Sequence, residues 1–304
     1  MPNTMAELSD SMQSAVATAG AYTVTVDARR RIPASGIGWA DGVVITAAHT
    51  VEREDAISVE VAGERFGAEL AGADPGSDVA ALHVPGLVVG QPPSGQAVAV
   101  GALTLSVARP HGDLAASLGL LSARGGAWRT RRGPSIDGYL RTDATLFPGF
   151  SGGPLVDAVG GLLGLNTSLY ARGGGFAIPT LTLGPIVDSL LTHGRLRRAF
   201  LGIASQPATL HAAQAEQAGQ ESGLLVVGLD QDGPAQAAGL LVGDIIMALG
   251  DRDDKSLILE TADLLGALGA DRIDVETGLE ILRGDERHPL RVTPVERSVE
   301  GTAR

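Results

Sequence analysis

The sequence contains no cysteine, which excludes disulfides, thiol nucleophiles and thiolate metal sites but leaves the compartment open, since extracellular proteins also do without it. Aromatic residues supply only 3% of its 304 positions, so the cores must be built from Val, Leu, Ile and Ala. Basic residues are scarce as well: 23 Lys and Arg face 35 Asp and Glu, a formal net charge of −12. Such a surface repels a phosphate backbone, and nucleic acid is not an expected partner. No stretch approaches the roughly 20 apolar residues that a bilayer-spanning helix requires. A secretory leader is not visible either, because Glu7 and Asp10 precede the first basic residue, Arg29, and no continuous apolar run accompanies them. These absences make no transmembrane segment and cytoplasmic residence the default expectations. A chain trimmed of an export signal, and so resident in the cell envelope, would read the same.

Hydrophobic residues make up 44% and charged residues 19%, a balance that buries a core and lies far from the signature of disorder. The length exceeds what one small core organises, so two domains are expected. Gly numbers 42, which together with the aliphatic composition suits short strands joined by tight turns. The acidic surplus is uneven: beyond Arg198 there are 18 acidic and 8 basic residues, so most of the net charge belongs to the second part.

Met5, Leu8, Met12, Ala15 and Val16 recur at helical spacing, and Thr4 with Glu7 fits a capping box, which predicts a short amphipathic helix packed on the body. From Tyr22 to about Ile178 the texture is β-rich: Tyr22–Val26, Val43–Thr46, Ile57–Val61, Val79–Val84 and Leu162–Leu165 are separated by Gly, Pro and Asp-Gly. This is the pattern of an all-β barrel or sandwich, and two antiparallel barrels fit the length. Thr180–Leu191 reads as a helix ended by Gly194. Past a basic junction at Arg195, Arg197 and Arg198 the pattern is mixed. Strands are expected at Leu224–Leu229, Asp244–Leu249, Gly278–Arg283 and Pro289–Val295, with helices near Ala212–Ala218, Pro234–Ala238 and Glu260–Leu268. The reading divides the chain into 1–196 and a small α+β domain at 199–304.

A serine hydroxyl is a poor nucleophile until a base takes its proton, and an imidazole does so well only when a third group fixes its tautomer. Ser151 lies in Gly149-Phe150-Ser151-Gly152-Gly153-Pro154, where glycines permit successive amides to turn inward, so that those of Gly149 and Ser151 could form an oxyanion hole. His49 follows the strand Val43-Val44-Ile45, and Asp78 stands at the mouth of Val79-Ala80-Ala81-Leu82, places where an imidazole and a carboxylate can meet. Each segment also has a plain structural reading: a Gly-rich hairpin, an ordinary histidine, a turn-capping aspartate. Gly149–Gly153 further satisfies the Gly-x-Ser-x-Gly pattern of α/β-hydrolases. That reading requires a helix directly after Ser151, which Pro154 and glycines 160, 161 and 164 disfavour. The remaining histidines show no metal-ligand spacing, and neither metal nor cofactor is expected.

In the order His, Asp, Ser the three segments resemble the trypsin-like serine proteases of the HtrA (DegP-like) family. There the histidine sits in a Thr-x-x-His-Val-type segment, the aspartate in Ser-Asp-Val/Leu-Ala and the serine in Gly-Asn-Ser-Gly-Gly-Pro. Here these are Thr46–Val51, Ser77–Ala80 and Gly149–Pro154, with Phe150 in place of the usual Asn and Thr50 in place of the usual Val. The likeness continues through Arg141-Thr142-Asp143-Ala144, Gly164-Leu165-Asn166-Thr167 and Gly175-Phe176-Ala177-Ile178-Pro179. It implies a mainly β fold with two β-barrels and a catalytic triad of His49, Asp78 and Ser151. It also implies a substrate pocket bordered by Ala144, Thr145, Leu146 and Phe147 and by Asn166, Thr167 and Ser168 through to Phe176. Those segments offer no carboxylate, so small or medium apolar side chains are the expected preference. Phe150 is expected to reshape the rim of the site. The segment His111–Gly138, with Arg124, Arg129, Arg131 and Arg132, resembles the family's regulatory loops, or is a solvated surface loop.

Phe200-Leu201-Gly202-Ile203, Ser222–Leu229 and the run from Gly233 to Ile246 resemble a permuted PDZ domain of the kind HtrA proteases carry. The resemblance implies capture of a chain-terminal carboxylate by the amides of Phe200, Leu201, Gly202 and Ile203, with a peptide added as a strand. It further implies a protein quality-control endopeptidase acting on unfolded or damaged polypeptides and assembled as a homotrimer or a multiple of it. A catalytically silent peptide-binding or chaperone protein and an esterase-type hydrolase are the competing functions.

Overall fold

β-Branched and small apolar residues recur in short runs through the first two thirds of the chain, and there they build two closed barrels. In the computed structural model, which describes residues 4–126, 128, 129, 135, 136, 138–170 and 174–296, the chain divides into two units, Met1–Leu196 and Arg197–Arg304. The first barrel comprises β1 (Thr23–Asp27), β2 (Ala34–Ala40), β3 (Val43–Ala47), β4 (Ile57–Val61), β5 (Glu64–Asp74) and β6 (Val79–His83). They close in the order β1-β2-β3-β6-β5-β4. The second uses β7 (Leu103–Ala108) and β8 (Ala115–Gly125), then, beyond a two-stranded ribbon of β9 (Trp128–Arg129) and β10 (Ser135–Ile136), β11 (Tyr139–Thr142), β12 (Pro154–Val156), β13 (Leu162–Thr167) and β14 (Gly175–Pro179). Its order is β11-β14-β13-β12-β7-β8. Closure leaves neither barrel an open edge. Residues 115–125, which read as loop in the sequence, are the long strand β8.

The two-residue period of a strand explains where the core lies. Val44 and Leu82 face the interior of the first barrel with Val24, Val26 and Val59. Their neighbours Ile45, Ala47, Val79 and Ala81 face the other way and pack with Leu105, Val107, Leu165 and Ile178 of the second barrel. β3 and β6 are therefore buried on both faces, which is why they read as unbroken apolar runs. Leu183, Ile186, Val187 and Leu190 of the helix Thr180–His193 complete that cluster. Each such side chain taken fully from water contributes about 1.5–3 kcal/mol. The helix ends as expected, with Gly194 in the left-handed region at φ 71° and its N–H donated to the Leu190 carbonyl at 2.9 Å.

The N-terminal helix, Thr4–Gly20, docks through only its second half. Ala15, Ala19 and Gly20 are buried and Met12 and Val16 pack against the core, whereas Met5 is 74% exposed. Just beyond it the buried Tyr22 hydroxyl donates to the Gly160 carbonyl at 2.9 Å. Burial first, and the nearby Asp157 carboxylate second, push its ionisation far above the ordinary phenol range, so it remains a neutral donor.

In the second unit β15 (Ala199–Phe200) pairs with β22 (Val295–Glu296). A larger sheet runs β16 (Ile203–Thr209), β17 (Ser222–Leu229), β18 (Ile245–Leu249), β20 (Thr277–Arg283) and β21 (Glu286–Val292), with β19 (Ser256–Leu257) against β18. Three short helices span Ala212–Ala218, Pro234–Ala237 and Thr261–Ala267. The core gathers Leu224, Val226, Ile246, Leu249, Leu264, Leu279 and Ile281. β16 is not apparent in the sequence because Ser205, Gln206 and Pro207 interrupt it; proline is tolerated in a strand that leaves its outer side unpaired. β21 begins three residues earlier than the sequence suggests, since Arg283 pairs with Glu286 across a two-residue Gly284-Asp285 turn that fixes the register.

The carboxylate of Asp244, 1% exposed as a residue, accepts from Arg283 Nε and Nη2 at 2.8 Å each and from the Leu241 amide at 2.8 Å. Burial alone would raise its pKa, but the Arg283 bonds and the Leu241 amide outweigh burial and hold it below the usual carboxylate range. A lowered folded-state pKa contributes stability that is complete above the ordinary carboxylate range and disappears as pH falls through the lowered value. Urea unfolding of the full chain, read by hydrogen exchange on the amides of β18, should show Asp244→Asn destabilised at pH 7, with the gap to wild type closing towards pH 3.

Candidate active site

Register brings the first two residues together. β3 runs antiparallel to β6 with Ala47 opposite Val79, so the end of one strand and the start of the other share a rim. The chain leaves β3 in a single 3-10 turn, Ala48–Thr50, which carries His49. Asp78, immediately before Val79, adopts φ 60°, a left-handed conformation that a short polar side chain tolerates better than most. Its carbonyl accepts from the Ala48 amide at 3.1 Å. Its Oδ1 accepts from the His49 backbone N–H at 2.8 Å, and His49 Nδ1 lies 3.0 Å from Oδ1 and 2.8 Å from Oδ2. The Thr167 hydroxyl donates to Oδ2. The carboxylate is wholly buried, and these donors replace the water it has lost. An acceptor at Nδ1 fixes the tautomer: Nδ1 carries the proton and Nε2 presents its lone pair.

Ser151 arrives from the second barrel. β12 pairs with β13, with Pro154 opposite Leu165, and the pairing extends past the strand: Gly152 N–H donates to the Asn166 carbonyl and Asn166 N–H to the Gly153 carbonyl, both at 2.8 Å. The turn from 149 to 153 is thus laid along the end of β13. Gly149 at φ 90° and Gly152 at φ 86° occupy backbone conformations in which a side chain is strained. Space excludes one as well, since a Cβ on Gly152 would stand 2.1 Å from the Ser35 carbonyl oxygen and 2.3 Å from Thr46 Oγ1.

Ser35 on β2 fastens this turn to the first barrel. Its amide donates to the Ser151 carbonyl at 3.2 Å, its hydroxyl donates to the Gly149 carbonyl at 2.8 Å and accepts from the Arg109 amide at 2.8 Å. Thr46 Oγ1 in turn donates to the Ser35 carbonyl at 2.7 Å. With those carbonyls engaged, the amides of Gly149 and Ser151 donate to no acceptor among the described residues. Phe150, between them, is 2% exposed, with its ring edge-on to Phe147 at 5.5 Å, and it is Phe147 that stands 54% exposed.

Ser151 Oγ does not bond directly to His49 among the described residues. It lies 2.9 Å from Ser168 Oγ and accepts from the Ser168 amide at 3.2 Å, while Ser168 Oγ is 3.5 Å from His49 Nε2. The segment bearing Ser168 is tied on both sides: Thr167 to Asp78, and the Tyr170 hydroxyl to the Gly76 carbonyl at 3.0 Å.

Of the residues expected around a pocket, Thr145 and Phe147 are exposed, Leu146 is half-buried and Ala144 is buried. Asn166 and Thr167 are fully buried. Asn166 Nδ2 donates to the Pro154 carbonyl at 2.8 Å, and the Thr167 hydroxyl serves Asp78, so these two offer a cleft only their main chain. Residues 171–173 of the expected wall lie outside the described residues, as do Arg131, Arg132 and the side chain of Arg129. Sequence reasoning passed over Ser35 and the partners of Thr167 and Ser168. A strand, β12, and not a helix follows Ser151, which removes the nucleophile-elbow reading of Gly-x-Ser-x-Gly.

A family profile described as a trypsin-like peptidase domain matches residues 34–165. Among curated proteins the chain is similar to a DegP-like periplasmic serine endoprotease of Pseudomonas fluorescens, 32% identical over 279 residues that make up 88% of this chain and 57% of the relative. It is likewise similar to one of Halomonas elongata, 34% identical over 278 residues, 87% of this chain and 56% of the relative. The chain therefore spans little more than half the length of these relatives. Among solved structures it is similar to the HtrA-type protease AlgW with a decapeptide, at a TM-score of 0.78 and 26% identity, covering 94% of this chain and 99% of that one. A serine endoprotease from Yersinia pestis gives a TM-score of 0.76 at 26% identity, covering 94% and 98%.

The closeness of Gly152 to Ser35 and Thr46 makes this turn intolerant of a methyl group. Overpacking against backbone, added to left-handed strain, should cost Gly152→Ala about 3 kcal/mol, a loss measurable as a lowered urea midpoint of the first unit.

Proposed function

The chain belongs to the HtrA family of trypsin-like serine proteases, and from that premise we propose that it is a serine endopeptidase cleaving unfolded or damaged polypeptides. The observation that carries the proposal is the buried Asp78 carboxylate holding His49 Nδ1 at 2.8 Å, set against a turn whose Gly149 and Ser151 amides are free to donate. In the reaction His49 Nε2 takes the proton of Ser151 as its Oγ attacks the scissile carbonyl. Asp78 steadies the imidazolium that forms; removal of such an aspartate costs about 10⁴ in kcat. The developing oxyanion is received by the two free amides, each worth about 3–4 kcal/mol to the transition state when preorganised. His49 then gives its proton to the leaving amine, and water repeats the cycle on the acyl-enzyme. Ala144, Thr145, Leu146, Phe147 and Ser168, with the main chain of Asn166 and Thr167, would border the pocket for the residue before the cleaved bond. None carries a charge, which supports a preference for small or medium apolar side chains.

The second unit is proposed to be a PDZ domain, residues 199–304, that binds C-termini or extended peptides. Leu201 and Gly202 lend their carbonyls to the Ala235 and Asp230 amides at 2.9 Å each, while their own amides have no acceptor among the described residues. Gly202 sits at φ 74°. Among the described residues β16 pairs only with β17 and so keeps one edge for an added strand. Beside it a trough of about 400 Å³ is lined by Pro207, Thr209, Leu259, Glu260 and Asp263 among others, and its carboxylates favour a ligand with basic residues behind its terminus. Assembly as a homotrimer, or a multiple of it, belongs to the same proposal.

Incubation of the wild type and Ser151→Ala with casein across pH 5–9, with fragments sequenced by mass spectrometry, tests the catalytic part. Cleavage by the wild type alone is expected, since only Ser151 supplies the attacking oxygen. The new termini should show Val, Ala or Leu before the cut, and a profile dominated by Lys or Arg would refute the pocket assignment. For the second unit, peptides with a free C-terminal carboxylate should bind at least tenfold more tightly than their amidated forms, measured by fluorescence anisotropy. Basic sequences should bind ahead of acidic ones at low salt.

A further inference from the structure

Ser168 stands where a triad would have a direct hydrogen bond. Its hydroxyl is 2.9 Å from Ser151 Oγ and 3.5 Å from His49 Nε2, and its amide donates to Ser151 Oγ at 3.2 Å. With Nδ1–H committed to Asp78, Nε2 can only accept, and the donors then fall into one consistent order. Ser168 Oγ–H points to Nε2, Ser151 Oγ–H donates to Ser168 Oγ, and the Ser168 amide occupies a lone pair of Ser151 Oγ. Both features act against attack: the serine's proton is given to a hydroxyl and not to the base, and one of its lone pairs is engaged by an N–H.

We infer that Ser168 is a positioning residue that holds the nucleophile in a resting orientation, so that Ser151 must leave the Ser168 hydroxyl before His49 can take its proton. The inference rests on the endopeptidase reading of the site. Thr167 and Tyr170 are anchored to Asp78 and the Gly76 carbonyl, so the Ser168 backbone is fixed and release comes from rotation about the Ser151 and Ser168 side-chain bonds. The Ser168 amide contact survives any substitution there; the hydroxyl contact does not. Ser168 is itself exposed, so its replacement leaves the core untouched.

The test is the rate at which a fluorophosphonate probe labels the full chain, since this small electrophile reads the reactivity of Ser151 without a peptide pocket. Ser168→Ala should label about fivefold faster than wild type, the worth of one neutral hydrogen bond released. Ser168→Val should match Ser168→Ala, and Ser168→Thr, which keeps a hydroxyl, should stay near the wild-type rate. A slower Ser168→Ala overturns the inference in favour of a hydroxyl that passes the proton on to His49, and an unchanged rate overturns it as well. Ser151→Ala is the control. Labelling of wild type at Ser151 with no gain in Ser168→Ala removes the inference alone, whereas no Ser151-dependent labelling in any variant removes the endopeptidase reading and the inference with it.

Discussion

The Asp78 carboxylate is the constraint on which the rest of the first unit depends. It is buried without exposure and, among the described residues, has three donors in place of an arginine or lysine partner: the His49 amide, His49 Nδ1 and the Thr167 hydroxyl. A buried carboxylate is expensive unless its lone pairs are filled. Two of these donors come from the first barrel and the third from β13 of the second. The two barrels must therefore meet within hydrogen-bond distance at this point, and the apolar cluster of Ile45, Ala47, Val79, Ala81, Leu165 and Ile178 behind it holds them there.

The same junction explains the glycines. Once the barrels are in contact, the turn bearing Ser151 has to pass between the Ser35 carbonyl and Thr46 Oγ1, where no Cβ fits on Gly152. Ser35, with its amide and hydroxyl on the Ser151 and Gly149 carbonyls, turns acceptors outward and so leaves donors facing the cleft. The pair of amides proposed to receive an oxyanion is thus a by-product of how one strand of the first barrel satisfies its neighbour.

Much of this was legible in the sequence, for a definite reason. Strands buried on both faces leave unbroken apolar runs, so β3 and β6 announce themselves, and with them the ends on which His49 and Asp78 sit. The Gly-rich frame of Ser151 is visible because its backbone conformation admits no other residue. The partners that reached across the chain were not legible. Ser35, in Ala34-Ser35-Gly36, carries no local signal, and its hydroxyl acts on residues more than 70 positions away. β16 was hidden because an edge strand tolerates Pro207 and polar residues, and β21 was displaced because the Gly284-Asp285 turn, not the apolar run, sets its register.

Thr167 and Ser168 show where such legibility ends. They are consecutive at the end of an extended strand, so their side chains leave on opposite sides. The first is wholly buried against Asp78 and the second is exposed against Ser151 and His49. One strand end therefore touches both extremes of the same hydrogen-bonded chain, fixing Asp78 with one residue and meeting Ser151 with the next. A sequence records two small hydroxyl residues there and nothing of the difference. Only the pleat, together with the anchoring of Tyr170 to the Gly76 carbonyl, makes one a fixed support and leaves the other free to turn.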